Sequence, residues 1–274
     1  MIQSLLFGLV SGLSDVMPVS SQAHKAILLK LFGENGEDPL LRLFVHVAIL
    51  AALYYCSSSH IQRIVRQLRL SRIPKKKRKR PLDVSTLMEF RLLRMMVVPA
   101  VLSLLLYNHT APWGTKLNVT AIFLLLNGVI LFLPNMLATG NKDARSMSAF
   151  EGMLIGFGGG LSVLPGVSSV GAANAVASVC GAERTFALNL TYLMHMVLTL
   201  GLIAFDVAAV FATGMSSLTF ARLVTYLIAS AAAFGGAFYG IRAMRLLAVN
   251  IGFSIFAFYS FGAALLSFVL YLMV

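Results

Sequence analysis

The chain opens with an apolar segment that is interrupted by side chains able to do chemistry. These residues are Asp15, Ser20, Ser21, His24 and Lys25. Residues four apart share a helix face, so a helix starting at the Ser pair would place Ser20 with His24 and Ser21 with Lys25. Burying an ionisable group in a membrane segment costs about 2.5–3.5 kcal/mol on insertion scales. The pattern predicts one functional cavity lined by these side chains; the alternative is a hairpin near the surface, where water would solvate them.

A second apolar stretch, residues 150–181, carries a similar interruption. A proline and a glycine are followed by Ser168 and Ser169, with Asn174 shortly after. In each stretch the Ser pair can cap a new half-helix, whose first N–H groups and dipole favour a phosphate or carboxylate. Broken backbone at membrane depth is tolerated only when it is buried in protein or lines a watery cavity. We therefore predict two re-entrant helical hairpins, at 1–36 and 150–181.

The composition places both hairpins in a membrane protein. The chain has 274 residues, of which 58% are hydrophobic and 12% are charged, about half the charged fraction of a soluble domain. A soluble globular enzyme and a disordered protein are therefore excluded. A spanning helix needs about 20 apolar residues. Apolar spans are predicted at 40–57, 95–111, 119–139, 185–212, 220–240 and 249–273.

The net charge of +12 comes largely from one segment. Ten of the 22 Lys and Arg residues lie between Arg63 and Arg80. The helical spacing of Arg63, Arg66 and Arg69 predicts a basic helix on the membrane surface, followed by a loop. Basic loops face the cytoplasm and contact anionic lipid. Residues 57–94 are therefore predicted to be a cytoplasmic loop rather than a nucleic-acid site, so the first hairpin opens to the outside.

Each hairpin is followed by three spans, and the two interruptions resemble each other. Residues 17–23 align with residues 164–171 with one extra residue, although a chance match remains the alternative. Because three is odd, the second copy must sit upside down, as in transporters with inverted repeats. The predicted fold is an all-α polytopic membrane protein with six transmembrane helices plus two re-entrant hairpins. Residues 1–149 form the first repeat and residues 150–274 the second.

The first interruption resembles a known family signature. Residues 8–24, GLVSGLSDVMPVSSQAH, are similar to GxxEGxxExxP[IV]SSTGH of the bacterial undecaprenyl pyrophosphate phosphatases of the bacitracin-resistance type. Residues 165–171, PGVSSVG, resemble the family's second signature, PGxSRSG. The resemblance runs over nearly the whole chain. It implies a multi-pass protein of the bacterial inner membrane that removes the terminal phosphate of undecaprenyl diphosphate, helped by a divalent metal, Mg²⁺ or Ca²⁺.

This chain departs from the family at two chemically important positions. The first family glutamate falls on Ser11, whereas the second falls on Asp15, which keeps the charge. The family arginine falls on Ser169. A serine cannot bind phosphate in the bidentate way of a guanidinium, and catalytic arginines in phosphoryl transfer contribute about 10³–10⁵ in rate. Efficient hydrolysis by this chain is therefore an open question.

The resemblance and the helical spacing together define the expected site. The expected catalytic residues are Asp15, which is also the expected metal ligand, Ser21 and His24. The residues expected to bind phosphate are Ser20, Ser21, Lys25, Ser168 and Ser169. Residues that could hold these side chains in position without binding the phosphate themselves are Ser11, Asn174 and His195. Lys25 could also be a surface lysine that snorkels, and His195 a neutral core histidine. Asp206, near a span end, is expected at the membrane interface.

Two main function classes remain open, beside a weaker third, a non-catalytic binding or resistance factor that sequesters the lipid. The first is a hydrolase of polyprenyl diphosphate that recycles the carrier lipid for cell-wall synthesis, with Asp15 holding the metal or activating water and His24 as general acid–base. The alternative is a catalytically impaired homologue that transports or flips polyprenyl phosphate, because inverted repeats with broken helices suit alternating access. In both cases the partners are a polyprenyl lipid and the membrane, and a homodimer is left open.

Overall fold

The computed structural model describes residues 1–34, 36–78, 80–213, 219–250 and 254–273. Lys79 of the basic run and residues 251–253 of the last predicted span lie outside these ranges. No β-strand occurs within them. The α-helices are α1 (Ile2–Val16), α2 (Ser21–Leu31), α3 (Pro39–Ser71), α4 (Val84–Ser103), α5 (Tyr107–Thr110), α6 (Leu117–Phe132), α7 (Ala149–Gly160), α8 (Ser169–Val179), α9 (Arg184–Thr213), α10 (Phe220–Asn250) and α11 (Ser254–Leu272).

Six helical segments of the described ranges are long and apolar enough to cross a membrane. They are Pro39–Ser71, Val84–Thr115, Leu117–Met136, Arg184–Thr213, Phe220–Leu247 and Ile255–Leu272. Large apolar side chains such as Leu105, Phe211 and Phe258 are exposed on their outer surfaces. Lipid, unlike water, solvates such side chains without penalty. The prediction of an all-α polytopic membrane protein with six spans is confirmed.

Helix α3 runs further than the sequence predicted. It continues through the first part of the basic stretch to Ser71, and α4 begins at Val84. The helix predicted at 63–69 is therefore confirmed, but it is continuous with the span, and the prediction of a loop over all of 57–94 is wrong. No proline or glycine interrupts this part of α3, and Arg63 of the extension donates to Glu89 of α4 at 2.7 Å. The arginines thus extend a spanning helix instead of forming a new one.

Both predicted interruptions form as helix–break–helix units. Helix α1 is followed by α2, and α7 is followed by a 3₁₀ turn and α8. Ser20 caps α2 by accepting from the Ala23 N–H at 3.3 Å, and Ser168 caps α8 by accepting from the Gly171 N–H at 3.1 Å. Each cap satisfies one of the free N–H groups at a helix start. The re-entrant placement of these units in a bilayer stays a prediction.

Each hairpin packs against a helix from the other half of the chain. Helix α1 lies against α10, and α7 lies against α4. A Cβ on Gly12 would lie 2.0 Å from the Ala233 oxygen, and a Cβ on Gly156 would lie 1.9 Å from the Met96 oxygen. Small residues let membrane helices approach this closely. The packing is reciprocal between the two halves, whereas their inverted orientation stays a prediction.

The start of the second hairpin should be sensitive to acid. Ser148 caps α7, and Glu151 accepts from Lys142 Nζ at 2.6 Å and from the Ser148 N–H at 2.7 Å. These two hydrogen bonds lower the pKa of Glu151 to about 2. Because the pKa of Glu151 is lower in the folded protein than in the unfolded chain, its hydrogen bonds stabilise the fold fully above about pH 4.5. This stabilisation is lost as the pH falls toward 2. The melting temperature in detergent should fall more between about pH 6 and pH 3 for wild type than for Glu151→Gln; equal falls would contradict this.

Candidate functional site

The interruptions of the two hairpins touch each other. The Ser20 hydroxyl accepts from the Gly166 N–H at 3.1 Å, and the Ser168 hydroxyl donates to the Met17 carbonyl at 3.0 Å. Gly166 has a φ of +126°, which favours glycine. Each capping serine therefore also binds the other hairpin. The starts of α2 and α8 meet at one place, where their free N–H groups can share an anion.

A pocket lies beside this junction. Its polar lining comes from six helices, the 3₁₀ turn that precedes α8 and the residue that caps α8, namely Asp15, Ser21, Gln22, Lys25, His46, Tyr107, Ser162, Ser168, Ser169 and His195. Ser21 and Lys25 share it because they are four residues apart on α2. Six of the residues that the sequence singled out are thus brought together, namely Asp15, Ser21, Lys25, Ser168, Ser169 and His195. Their chemical roles stay predictions.

Asp15 is oriented by a histidine from α9. His195 Nε2 lies 2.8 Å from Asp15 Oδ2, and both side chains are largely buried. The other ring nitrogen of His195, Nδ1, is buried and has no hydrogen-bond partner in the described ranges. His195 therefore packs in the core and at the same time holds the acid of the pocket in one orientation. The burial and the hydrogen bond expected of a core histidine are confirmed, whereas the role of His195 at the site stays a prediction.

His24 does not reach this pocket. Its Nδ1 lies 2.6 Å from the Ser20 carbonyl, its Nε2 lies 2.6 Å from the Tyr259 hydroxyl, and the two rings stack. The prediction that His24 shares a cavity with Asp15 is therefore wrong. Helical spacing correctly puts His24 on the face of Ser20, but that face of α2 turns toward α11.

Lys25 is a buried cation rather than a surface lysine. It is 5% exposed, and its Nζ lies 3.2 Å from Glu37 Oε1. Besides the pocket described above, Lys25 lines a neighbouring cavity together with Arg42 and Tyr107. The snorkelling alternative is wrong, because α3 and the segment before it cover this end of the helix. Lys25 can therefore present positive charge to a phosphate in the pocket.

Asp206 is buried, although the sequence placed it at the membrane interface. It has no exposed surface, and its carboxylate lies 2.5 Å from Arg42 Nε and 2.5 Å from His46 Nδ1. The interfacial prediction is wrong, because α3 supplies two partners for the acid inside the protein. Sequence reasoning missed both Arg42 and His46. Two ionisable residues four apart in an apolar span were a usable signal.

The remaining expected residues lie around or behind the pocket. Ser11 and Ser169 each have a buried hydroxyl with no hydrogen-bond partner in the part of the chain that the structure describes. The Ser11 carbonyl accepts from the Ser21 hydroxyl at 3.5 Å. Asn174 donates to Val170 on its own helix and does not line the pocket. Since buried polar atoms are normally paired, the Ser169 hydroxyl is an atom that a bound ligand would satisfy.

The pocket offers few ligands for a metal ion. The described ranges contain no group of three or more His, Cys, Asp or Glu residues that could hold one. Asp15 is the single carboxylate among the described residues lining the pocket. Mg²⁺ is usually held by one or two carboxylates together with the phosphates of the substrate. The donor set fits that mode, in which the substrate supplies most of the ligands.

Asn127 of α6 holds the second interruption in place. Its side chain accepts from the Ser168 N–H and donates to the Ser260 hydroxyl, both at 2.9 Å. Asn127→Leu leaves both groups buried and unpaired, so we expect a loss of about 1–3 kcal/mol of stability and a lower melting temperature. Asn135→Leu, at an exposed position of the turn after α6, should change it little. Equal melting temperatures for wild type and Asn127→Leu would contradict the assignment.

Comparison with known proteins gives consistent matches over most of the chain. The model of a family described as bacitracin resistance protein BacA matches residues 4–266. A protein of Thermosipho melanesiensis named undecaprenyl-diphosphatase is 24% identical over 270 residues, which cover 97% of this chain and 98% of that protein. One of the same name from Alkaliphilus metalliredigens is 24% identical over 234 residues, covering 83% and 84%. Another, from Methanobrevibacter smithii, is 26% identical over 205 residues, covering 73% and 74%.

Proposed function

Because the chain belongs to the bacitracin resistance protein BacA family, we propose that it removes the terminal phosphate of undecaprenyl diphosphate in a bacterial inner membrane. The product, undecaprenyl phosphate, would return to carrier-lipid recycling for cell-wall synthesis. The observation that carries the proposal is the meeting of two capped half-helices beside a pocket that holds Asp15 and Lys25. The basic end of α3 faces the cytoplasm, so the pocket opens to the outside.

The protein groups around the pocket can bind both phosphates of the substrate. The N–H groups at the starts of α2 and α8 supply positive potential. The hydroxyls of Ser21 and Ser169 supply donors that the protein leaves free or weakly engaged. Lys25 adds a buried ammonium group, which is paired with Glu37 at 3.2 Å. These groups favour the negative charge that spreads over the phosphoryl oxygens as the bond to the leaving group breaks.

Asp15 is the group that would hold a divalent metal. When bound, the metal neutralises negative charge on the phosphate oxygens. His195 keeps the Asp15 carboxylate pointed into the pocket through its hydrogen bond to Oδ2. An attacking water forms a bond to the terminal phosphorus, and the bridging P–O bond breaks with its electron pair going to undecaprenyl phosphate. The proton that the attacking water gives up passes to a base at the pocket and from there to the leaving oxygen.

Phosphate release by the purified protein tests the proposal. In detergent with Mg²⁺, wild type should release inorganic phosphate from undecaprenyl diphosphate. Ser21→Ala should lower the rate at least about tenfold, the scale expected for losing one donor to the reacting phosphate. Ser58→Ala is the matched control, because Ser58 is half-buried on α3, does not line the pocket and donates to its own helix. Wild-type release no faster than that of Ser21→Ala would contradict the proposal.

Transport of polyprenyl phosphate is the second candidate. It is favoured by the serine at position 169, whose hydroxyl leaves phosphate binding intact but lacks the charge of a guanidinium. A transporter would move a fluorescent polyprenyl phosphate between the leaflets of proteoliposomes without releasing phosphate. Hydrolysis without such movement would exclude this second function.

A further inference from the structure

We propose that His46 is the general acid–base of this site, with Asp206 and Arg42 as its positioning residues. The inference rests on the proposed phosphatase function. It concerns a histidine that neither family signature contains, in the first third of spanning helix α3. His46 lines the same pocket as Asp15, Ser21 and Ser169.

Comparison of the three histidines near the site points to His46. Both ring nitrogens of His24 are engaged, outside the pocket. The Nε2 atom of His195 is hydrogen-bonded to Asp15, and its Nδ1 is buried in the protein interior. His46 uses only Nδ1, on Asp206. Its Nε2 has no hydrogen-bond partner in the described residues and, unlike His195 Nδ1, is not one of the fully buried unpaired atoms. Of these three, His46 alone has a nitrogen available to a reactant in the pocket.

The partners of His46 fix the proton that it carries. Asp206 is fully buried, and its two oxygens are held separately by His46 Nδ1 and Arg42 Nε. Because a carboxylate only accepts hydrogen bonds, Nδ1 must carry a proton. When the ring is neutral, it therefore presents the Nε2 lone pair to the pocket. A carboxylate that orients a histidine base in this way is the arrangement used by hydrolytic triads.

The proton transfers of hydrolysis balance through this nitrogen. As the water oxygen bonds to the terminal phosphorus, its proton passes to His46 Nε2 and the ring becomes an imidazolium. Asp206 stabilises that charge. The bridging P–O bond then breaks, and the imidazolium returns the proton to the leaving oxygen of undecaprenyl phosphate. The histidine ends neutral, and no other reactant is consumed.

The same helix offers a matched control. His60 of α3 also binds a carboxylate shared with an arginine, since Glu89 accepts from His60 at 2.8 Å and from Arg63 at 2.7 Å. This second trio lines a different cavity. A purely structural role for a His–carboxylate–Arg trio predicts similar effects at His46 and His60. A catalytic role predicts an effect on turnover at His46 alone.

The test measures kcat and KM for phosphate release from undecaprenyl diphosphate in detergent with Mg²⁺. His46→Asn keeps an amide donor for Asp206 but cannot relay a proton, so kcat should fall about 10²–10⁴-fold while KM stays within a few-fold. Asp206→Asn should also lower kcat with little change in KM, because it favours the wrong tautomer. His60→Asn should change kcat less than about twofold. Added imidazole should restore part of the activity of His46→Ala and none to Asp15→Asn.

Each alternative result contradicts either the acid–base role of His46 or the proposed function. If wild type is active and His46→Asn keeps kcat within about tenfold, His46 is not the acid–base. The same conclusion follows if imidazole fails to rescue folded His46→Ala. If His46→Ala does not yield folded protein, His46→Gln, which retains an amide, decides by the same kcat criterion. If wild type itself releases no phosphate, the proposed function falls and the acid–base role falls with it.

Discussion

Asp15→Asn should lower phosphate release by about 10²–10⁴-fold, the range associated with losing a charged group that acts on the reacting centre. Asparagine has the shape of aspartate, and its amide oxygen can still accept from His195 Nε2, which lies 2.8 Å from the present carboxylate. The substitution therefore removes the negative charge and leaves the contact between α1 and α9. Asp15 is also the residue that would hold a divalent metal, so the stimulation of wild type by Mg²⁺ should disappear in the variant.

The control for this result is Asp83→Asn. Asp83 caps α4 through Thr86, and it does not line the pocket. Its replacement removes the same charge and should leave the rate of phosphate release unchanged. Melting temperatures in detergent show whether both variants fold. Retention of more than a tenth of the wild-type rate by folded Asp15→Asn would remove Asp15 from the reaction.

Local patterns in the sequence were sufficient to predict the two interruptions. A proline followed by a Ser pair predicts a break between two helices, because the proline ends one helix and a serine hydroxyl caps the next. Ser20 and Ser168 act as caps, as predicted. The pairing of Ser21 with Lys25 in one pocket also follows from spacing along a single helix. These features depend on residues close in sequence.

Features that depend on packing between distant helices could not be predicted in this way. Spacing gives the face of α2 on which His24 lies, but not that α11 covers this face with Tyr259. Similarly, Asp206 lies near the end of an apolar span, and only the packing of α3 on α9 shows that Arg42 and His46 bury it. The cost of a buried charge predicts that such a group has a partner. It does not say which helix supplies the partner.

In the folded protein, another cation lies in the pocket that holds position 169, where serine replaces the family arginine. Lys25 brings a buried positive charge to the same pocket from the opposite hairpin. Its partner Glu37 also lies near Arg42, at 4.0 Å. The cations beside the pocket and its neighbouring cavity therefore come from α2 and α3, each paired with a carboxylate, whereas the family signature places its cation in the second interruption. If the proposed function holds, Lys25 would take the place of that arginine in binding phosphate.

Gly12→Ala should strongly destabilise the packing of the first hairpin against α10. The new Cβ would lie 2.0 Å from the Ala233 oxygen of α10, and backbone cannot move aside as a flexible side chain can. Overpacking in a protein core typically costs about 1–3 kcal/mol, and we expect at least the upper end of that range here. Because Asp15 lies three residues further along α1, separating α1 from α10 would also displace the acid, so activity should fall with the melting temperature.

The matched control is Gly235→Ala on α10, where a Cβ meets nothing within 4 Å. Alanine favours helix over glycine by about 1 kcal/mol, so this variant should melt at the wild-type temperature or slightly above it. Gly156→Ala tests the reciprocal contact, since its Cβ would lie 1.9 Å from the Met96 oxygen of α4. Melting temperatures of Gly12→Ala and Gly156→Ala equal to that of Gly235→Ala would show that neither close contact holds its hairpin in place. A drop for both would show that each half of the chain is stabilised by the hairpin of the other.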